Sequence, residues 1–160
     1  RAVAVLRGLS SRLDSPQDAV RYSVDLRPDG MVPGDLDGDG RKDLVVMEKG
    51  QKRLVALNGQ SPGGLGTPRS YSLALAPNDL ALGDVNADGR LDIAAAGSDP
   101  SGIALLVSAG AERYVVGTYG TAAAPRTLAL GDTDGDGWMD VLIDGGGAPL
   151  FTVLRGAGSR

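Results

Sequence analysis

Short apolar runs alternate with clusters of glycine, proline and aspartate along the whole chain. Gly or Pro interrupts every run that would otherwise keep a helical period. Short apolar runs that are bounded by turn residues are typical of β-strands. The hydrophobic pattern therefore predicts an all-β protein built from many short strands.

Three acidic segments recur at a nearly constant spacing. They read GDLDGDGRKDLVVM (34–47), GDVNADGRLDIAAA (83–96) and GDTDGDGWMDVLID (131–144). The first aspartates of the segments, Asp35, Asp84 and Asp132, are 49 and then 48 residues apart. This spacing indicates that one supersecondary unit is repeated along the chain.

Each repeat contains four apolar runs, which we label strands A to D. Strand A leads into the acidic segment, strand B leaves it, strand C ends in glycine, and strand D carries an arginine and a tyrosine. We place Tyr22, Tyr71 and Tyr114 at equivalent positions of strand D, where we expect them to pack. Four strands in a repeat of ~40–50 residues are typical of a β-propeller blade.

The order of the strands predicts how many blades the chain contains. It supplies strands C-D, then A-B-C-D twice, then A-B-C. We expect one repeat domain over residues 1–160, with approximate units 1–29, 30–78, 79–126 and 127–160. Strand C occurs near both termini, at residues 4–8 and 152–156. If the two ends joined to close a ring, the shared blade would therefore contain strand C twice. We therefore predict about three blades forming an arc of a larger propeller, with closure by association of chains as the alternative.

Each acidic loop follows the pattern D-x-[DN]-x-D-G-x-x-D. Side-chain oxygens at positions 1, 3, 5 and 9 and a backbone oxygen at position 7 would surround a hard cation, and glycine at position 6 allows the sharp turn. Such a flexible cage of oxygen atoms suits Ca²⁺ better than Mg²⁺. The predicted ligands are Asp35, Asp37, Asp39, Asp43 and the backbone oxygen of Arg41; Asp84, Asn86, Asp88, Asp92 and the backbone oxygen of Arg90; and Asp132, Asp134, Asp136, Asp140 and the backbone oxygen of Trp138.

The charges of the loops also favour metal binding. They hold 11 of the 20 acidic residues, and carboxylates this close together repel one another unless a cation lies between them. We expect up to three Ca²⁺ ions per chain. The Asp84 loop should bind most weakly, because Asn86 replaces a carboxylate and Ala87 replaces the glycine found at positions 38 and 135. Metal-free Asp/Gly turns are the alternative, and the threefold repetition argues against it.

The residue types that are missing exclude several functions. The chain has no Cys and no His, so it lacks disulfides, zinc–thiolate sites and the commonest general base. A net charge of −4 and 4% aromatic residues predict no nucleic-acid binding. No apolar run is long enough for membrane insertion. With no catalytic constellation visible, we predict that the chain is not an enzyme.

The acidic segments resemble the FG-GAP/VCBS repeat, the calcium-binding blade of integrin α-chain propellers and of many secreted bacterial proteins. The third copy continues into Gly147-Ala148-Pro149, which matches the GAP part, whereas the nearest match to Phe-Gly is Tyr119-Gly120. VCBS-like bacterial repeats fit better than an integrin. The resemblance implies a seven-bladed propeller in which each calcium loop joins strands A and B, with the ligands at the positions named above.

These features lead to one expected function and two alternatives. Extracellular calcium modules often work at roughly 10⁻⁴–10⁻³ M, which favours secretion or the cell surface. We expect structural calcium in an extracellular module that binds a protein or glycan. One alternative is a structural subunit of an extracellular fibre or ring that self-associates through open blade edges. The other is part of a propeller-type polysaccharide-degrading enzyme.

Overall fold

The fold is built almost entirely of short β-strands. It is taken from a computed structural model, which describes the backbone of residues 2–5, 8–9, 12–13 and 20–23, and backbone and side chains over 27–61, 63–110, 113–144 and 151–156. The strands are β1 (Ala2–Val5), β2 (Gly8–Leu9), β3 (Arg12–Leu13), β4 (Val20–Ser23), β5 (Gly30–Gly34), β6 (Asp43–Glu48), β7 (Arg53–Leu57), β8 (Gly59–Gln60), β9 (Gly64–Leu65), β10 (Arg69–Ser72), β11 (Ala76–Gly83), β12 (Asp92–Ser98), β13 (Gly102–Ser108), β14 (Tyr114–Gly120), β15 (Leu128–Gly131), β16 (Asp140–Asp144) and β17 (Phe151–Leu154). A 3₁₀ turn at Lys49–Gln51 joins β6 to β7.

Neighbouring strands pair in antiparallel meanders. Sheet 1 has the order β5-β6-β7-β10, sheet 2 the order β11-β12-β13-β14, and sheet 3 the order β15-β16-β17. β1 pairs with β4, and the short pairs β2-β3 and β8-β9 complete the described strands. The predicted all-β class with propeller-type blades is confirmed. The unit boundaries and the total number of blades stay predictions.

The cross-strand register defines which residues correspond between sheets. Val3 pairs with Tyr22, Leu54 with Tyr71, and Ile103 with Tyr119. Tyr119 is therefore the counterpart of Tyr71, and the placement of Tyr114 at that position was wrong. In the sequence, Tyr114 directly follows an arginine, as Tyr22 does, and only the pairing of β14 with strand C distinguishes its two tyrosines.

The main core lies between sheet 1 and sheet 2. Sheet 1 contributes Val45, Met47 and Leu54, which alternate with residues on its other face. Sheet 2 contributes Ile93 and Leu106 to the same cluster. Both faces of each sheet are apolar, so each sheet needs a neighbour on either side to bury them.

A smaller core joins sheet 2 to sheet 3. Ile103 of sheet 2 packs with Val141 and Ile143 of sheet 3, and these three side chains are buried. Sheet 3 thus packs on sheet 2 in the same way as sheet 2 packs on sheet 1, through corresponding strands.

The glycine before each acidic loop allows neighbouring sheets to approach closely. A Cβ at Gly34 would lie 2.4 Å from Leu82 Cδ1 of sheet 2, and a Cβ at Gly83 would lie 2.9 Å from Leu130 Cδ1 of sheet 3. Gly131, the counterpart in sheet 3, has no atom within 4 Å of such a Cβ. Gly34 and Gly83 therefore serve the packing of sheets, whereas no described atom fills the corresponding space at Gly131.

At one position of strand C, the exposure of the side chain depends on whether another sheet packs against it. Leu54 in β7 is 0% exposed, its counterpart Ile103 in β13 is 1% exposed, and Phe151 in β17 is 74% exposed. Leu54 and Ile103 each face a following sheet. Phe151 lies on the face of sheet 3 that points away from sheet 2.

We expect Leu54→Ala to lower the free energy of unfolding by about 2–5 kcal/mol, because it leaves a cavity between two sheets. The matched variant Phe151→Ala removes a larger side chain from the corresponding position, yet should change stability by less than about 0.5 kcal/mol, since no described residue encloses it. Urea unfolding followed by circular dichroism measures both values. Equal losses for the two variants would contradict the assigned stacking.

Candidate metal centre

The first loop wraps around the side chain of Asp35. Asp35 Oδ1 accepts hydrogen bonds from the N–H groups of Gly38 at 2.8 Å and Asp39 at 3.1 Å, and Oδ2 accepts one from Gly40 at 2.9 Å. Asp132 accepts equivalent bonds from Gly135 at 2.7 Å and Gly137 at 2.9 Å. The first aspartate of the motif thus fixes the loop backbone through its own carboxylate.

Two positions of every loop adopt left-handed backbone angles. The sixth residue is always glycine, with φ between 84° and 88°. The fourth residue is Gly38 or Gly135 at φ 78° in the outer loops, and Ala87 at φ 54° in the middle loop. The sequence had indicated that Ala87 is a less suitable residue than glycine, and the left-handed angle gives the physical reason.

Carboxylates at positions 1, 3 and 5 converge in the first and third loops. In each loop the three residues offer one oxygen apiece, and these oxygens lie within 4.8 Å of one another. The clusters are Asp35, Asp37 and Asp39, and Asp132, Asp134 and Asp136. A group of hard oxygen atoms at this separation matches the ligand preference of a divalent cation such as Ca²⁺.

The middle loop has a different arrangement at its third position. The side-chain amide nitrogen of Asn86 donates a hydrogen bond to Asp88 Oδ2 at 2.9 Å, and the side-chain oxygen of Asn86 accepts one from the Asp88 N–H at 3.2 Å. The amide thereby occupies one oxygen of the neighbouring carboxylate. Burial alone would raise the pKa of Asp88, but hydrogen bonds from Asn86 and Arg90 outweigh it and lower the pKa.

One arginine pairs with a carboxylate in each loop. Arg41 pairs with Asp39, Arg90 with Asp88 at 2.5 Å, and Arg155 with Asp134. These guanidinium groups supply positive charge where the clustered carboxylates need it. Because the three arginine side chains are between 46% and 67% exposed, such pairs contribute little to stability, and a divalent ion can replace them at small cost.

The aspartate at position 9 is buried beneath each loop. Asp43, Asp92 and Asp140 are at most 1% exposed. Asp43 accepts hydrogen bonds from the N–H groups of Leu36 at 2.8 Å and Gly59 at 2.7 Å. Asp92 and Asp140 accept the equivalent pairs, and each carboxylate thereby ties the start of its loop to the end of strand C.

This contact explains why glycine recurs at the end of strand C, a feature that the sequence shows but does not explain. Gly59 donates its N–H to Asp43, and a Cβ there would lie 2.4 Å from the Lys42 carbonyl oxygen. Gly156 stands equally close to Met139. Their counterpart Ser108 makes the same bond to Asp92 at 2.7 Å, so the N–H is the shared requirement.

The three buried aspartates differ in their pKa. Burial raises the pKa of Asp43 and of Asp92, although two backbone hydrogen bonds to each oppose this effect. The pKa of Asp140 is lowered instead, first by the Thr133 hydroxyl and then by the Thr133 N–H. Leu36 and Val85 occupy the position of Thr133 in the other loops and have no hydroxyl to donate.

The predicted ligand set is brought together in part. Positions 1, 3 and 5 converge in the first and third loops. The position 9 carboxylates lie below them and accept backbone N–H bonds, and they stay predicted ligands together with Asp84, Asn86 and Asp88. The backbone oxygens of Arg41, Arg90 and Trp138 also stay predictions. The arginine partners and the Thr133 hydroxyl were missed, because pairing across a loop has no signal in sequence spacing.

Stacked antiparallel meanders with an acidic loop between their first two strands define a β-propeller-type repeat protein. A family model described as FG-GAP-like repeat matches residues 35–95 and 84–143. The chain belongs to the FG-GAP-like repeat family. No curated protein matches it in sequence. Within the described residues, no helix has the length and apolar character needed to cross a membrane.

We expect Ala87→Gly to raise the free energy of unfolding by about 0.5–1 kcal/mol, because it removes a left-handed alanine while adding chain freedom to the unfolded state. The mirror variant Gly38→Ala should lower it by a similar amount, since no atom lies within 4 Å of the new Cβ and only the backbone resists. Chemical unfolding of the metal-free chain measures both. Changes of the same sign would refute this explanation.

We expect Thr133→Val to raise the pKa of Asp140 from its lowered value, because the strongest hydrogen bond to the carboxylate is lost. A carboxylate whose pKa is lower in the folded state than in the unfolded state stabilises the fold at pH values above the unfolded-state pKa, and this stabilisation is lost as the pH falls. The variant should therefore have a lower free energy of unfolding at neutral pH and an unchanged one in acid. The reciprocal variant Val85→Thr should lower the pKa of Asp92. Carboxyl NMR titration of the metal-free chain tests both, and unchanged pKa values would count against the hydroxyl.

Proposed function

We propose that the chain is a calcium-binding, extracellular β-propeller module that presents its surface to a protein or glycan ligand. The ions have a structural role in this proposal. The observation that carries it is the convergence of three carboxylates in loops that recur at equivalent places of the sheets. Membership of the FG-GAP-like repeat family supports it, since such repeats often bind Ca²⁺.

The residues present fit Ca²⁺ as the bound ion. Asp35, Asp37 and Asp39 would hold one ion, and Asp132, Asp134 and Asp136 another, joined by the other predicted ligands of their loops. Asp84, Asn86 and Asp88 would hold the third more weakly. A bound ion supplies positive charge at the centre of the loop, which removes carboxylate repulsion and holds strands A and B in their relative positions.

The acidic residues outside the loops support a non-catalytic role. In the parts of the chain with described side chains these are Asp29, Glu48, Asp79, Asp99 and Asp144. Each accepts a hydrogen bond or pairs with a cation. Glu48 is buried against Arg53, and Asp79 receives the Leu128 N–H. A polysaccharide-degrading activity would need two such groups facing a common pocket, whereas four of these five bond to backbone N–H groups or to Arg53 and the fifth, Asp99, pairs with Lys52.

A second candidate function is a structural subunit of an extracellular fibre or ring. The observation favouring it is on sheet 3, where Phe151 is exposed and β17 lies at the edge among the described strands. Exposed strand edges favour association between molecules. Analytical ultracentrifugation separates the two functions, because a binding module stays monomeric over a concentration range in which a fibre or ring subunit assembles.

We expect native mass spectrometry to detect up to three Ca²⁺ ions per chain, with the last ion bound most weakly. Asp37→Ala and Asp134→Ala should each remove one ion, because each takes a carboxylate from the centre of a cluster. Asn86→Asp should tighten the weakest site. The control Asp99→Ala removes an exposed carboxylate that pairs with Lys52 and should leave the count unchanged. A chain that binds no Ca²⁺ at millimolar concentration would overturn the proposal.

A further inference from the structure

A polar pocket lies at the end of the sheets that is opposite the acidic loops. It has a volume of about 450 Å³ and is lined by Lys49, Asn78, Ser98, Ala124 and Arg126. This volume falls within the range of roughly 300–1,000 Å³ that small-molecule sites occupy. No acidic residue belongs to this described lining, and its two charged side chains are both cations.

The position of the pocket follows from the directions of the strands. Asn78 and Arg126 each stand five residues before the glycine that begins an acidic segment. Lys49 and Ser98 each stand six residues after the aspartate at position 9 of a loop. At about 3.3 Å per residue, the pocket is roughly 15–20 Å from the loops along the strands. The pocket and the candidate metal centres are therefore separate sites, and sheets 1, 2 and 3 all contribute to the pocket.

A comparison of equivalent positions shows why space is left at this place. Between sheets 1 and 2, Lys49 reaches across to Asn78, with 2.6 Å between Nζ and Oδ1. Between sheets 2 and 3, the equivalent residues are Ser98 and Arg126. The side chain of Ser98 is much shorter than that of lysine, so it leaves open the space beside Arg126 that a lysine would fill.

Asn78 holds two sides of the pocket in place. The register of β11 on β12 shifts at this residue, which therefore stands at a β-bulge. Bulges redirect side chains and are frequent beside functional sites. The side-chain oxygen of Asn78 accepts a hydrogen bond from Lys49, and its side-chain nitrogen donates one to the carbonyl oxygen of Pro125 at 2.9 Å. One amide thus fixes both Lys49 and the segment that carries Arg126.

Both cations keep hydrogen-bond donors for a ligand. Lys49 Nζ has three N–H donors, and its bond to Asn78 uses one of them. The Arg126 side chain is exposed, and no hydrogen bond or ion pair with another described residue engages its guanidinium group. An anion that enters the pocket can therefore bind both groups without breaking an existing ion pair.

The aspartates on neighbouring segments bond to other donors. Asp29 accepts the backbone N–H of Lys49 at 2.7 Å, and Asp144 accepts the backbone N–H of Arg126 at 2.5 Å. Asp99, which follows Ser98, pairs with Lys52. None of these three carboxylates occupies the ammonium group of Lys49 or the guanidinium group of Arg126.

The groups in the pocket indicate the class of ligand. Ammonium and guanidinium groups bind carboxylates through charge-assisted hydrogen bonds. A carboxylate alone would fill only a small part of the volume, and the hydroxyl of Ser98 and the amide of Asn78 suit a polar remainder. Peptides are held mainly by large aromatic or apolar anchors, and the described lining contains no large apolar side chain. A sugar ring that carries a carboxylate matches this lining better than a peptide.

We propose that this pocket binds an acidic sugar, with the carboxylate between Lys49 and Arg126 and the ring hydroxyls facing Ser98. The inference rests on the proposed function as a binding module and deepens it, because it names the ligand class and the place where that ligand binds. Asn78 acts as a positioning residue, since it holds Lys49 and the Arg126 segment in the arrangement that the carboxylate requires.

The test is an NMR titration of the ¹⁵N-labelled 160-residue chain with D-glucuronate in calcium-containing buffer. The amides of Lys49, Ser98 and Arg126 should show saturable shifts, while those of the acidic loops stay unchanged. D-glucose has a comparable ring without the carboxylate, and acetate has the carboxylate without the ring. Each of these two probes should bind at least about tenfold more weakly than D-glucuronate.

Variants of the lining separate the contributions of its residues. Arg126→Gln and Lys49→Gln each remove one positive charge and should each raise the dissociation constant at least about fivefold, because a charge-assisted bond is lost. Asn78→Ala should weaken binding in the same direction and also shift the side-chain NMR signals of Lys49. The matched control Arg113→Gln removes an exposed guanidinium outside the lining and should leave the dissociation constant unchanged.

Several results would overturn the proposal. They are the absence of saturable shifts at about 50 mM D-glucuronate in a chain with a folded spectrum, shifts confined to the acidic loops, and equal binding of glucose, of acetate or by the Arg126→Gln variant. Native mass spectrometry of the same sample counts the calcium ions separately. Bound calcium without D-glucuronate binding would reject this pocket alone, whereas D-glucuronate binding by a chain without calcium would reject the calcium proposal alone.

Discussion

The burial of both faces of each sheet is the constraint on which the rest of the structure depends. A four-stranded meander with apolar residues on alternate sides cannot enclose itself, and only another sheet covers it. Sheet 2 meets this requirement, with Ile93 facing sheet 1 and Ile103 facing sheet 3. Gly34 and Gly83 permit the close approach, and the exposure of Phe151 marks where the described stack ends.

The acidic loops are attached to this stack by the buried aspartate at position 9. Each of these carboxylates accepts one N–H from the loop and one from the end of strand C, so loop geometry and sheet geometry are coupled. Above it, the carboxylates at positions 1, 3 and 5 are held close to one another despite their repulsion. In the proposed function, bound calcium offsets this repulsion, and pairing with arginine offsets part of it when the metal is absent.

The strands and the acidic loops could be predicted from sequence because both depend on local chemistry. Apolar runs between turn residues locate β6, β12 and β16, and the repeated aspartates locate the clusters around Asp35 and Asp132.

Features that depend on contacts between distant residues could not be predicted in this way. The correspondence of Tyr119 with Tyr71 requires the strand register, and Arg155, which follows β17, pairs with Asp134 in the loop before β16, 21 positions earlier in the chain. The lowered pKa of Asp140 depends on a hydroxyl at a position that varies between loops. The spacing of residues in the sequence indicates the ligand pattern, whereas these interactions form only when folding brings distant residues together.

Calorimetric unfolding at increasing calcium concentration tests the central claim most directly, namely that the acidic loops are metal sites coupled to the fold. Binding to the folded state alone raises the midpoint of unfolding continuously as the ion concentration exceeds the dissociation constant. The account predicts this rise, and a smaller rise when Asp35 is replaced by alanine. A midpoint that is the same in chelator and in millimolar calcium would contradict it.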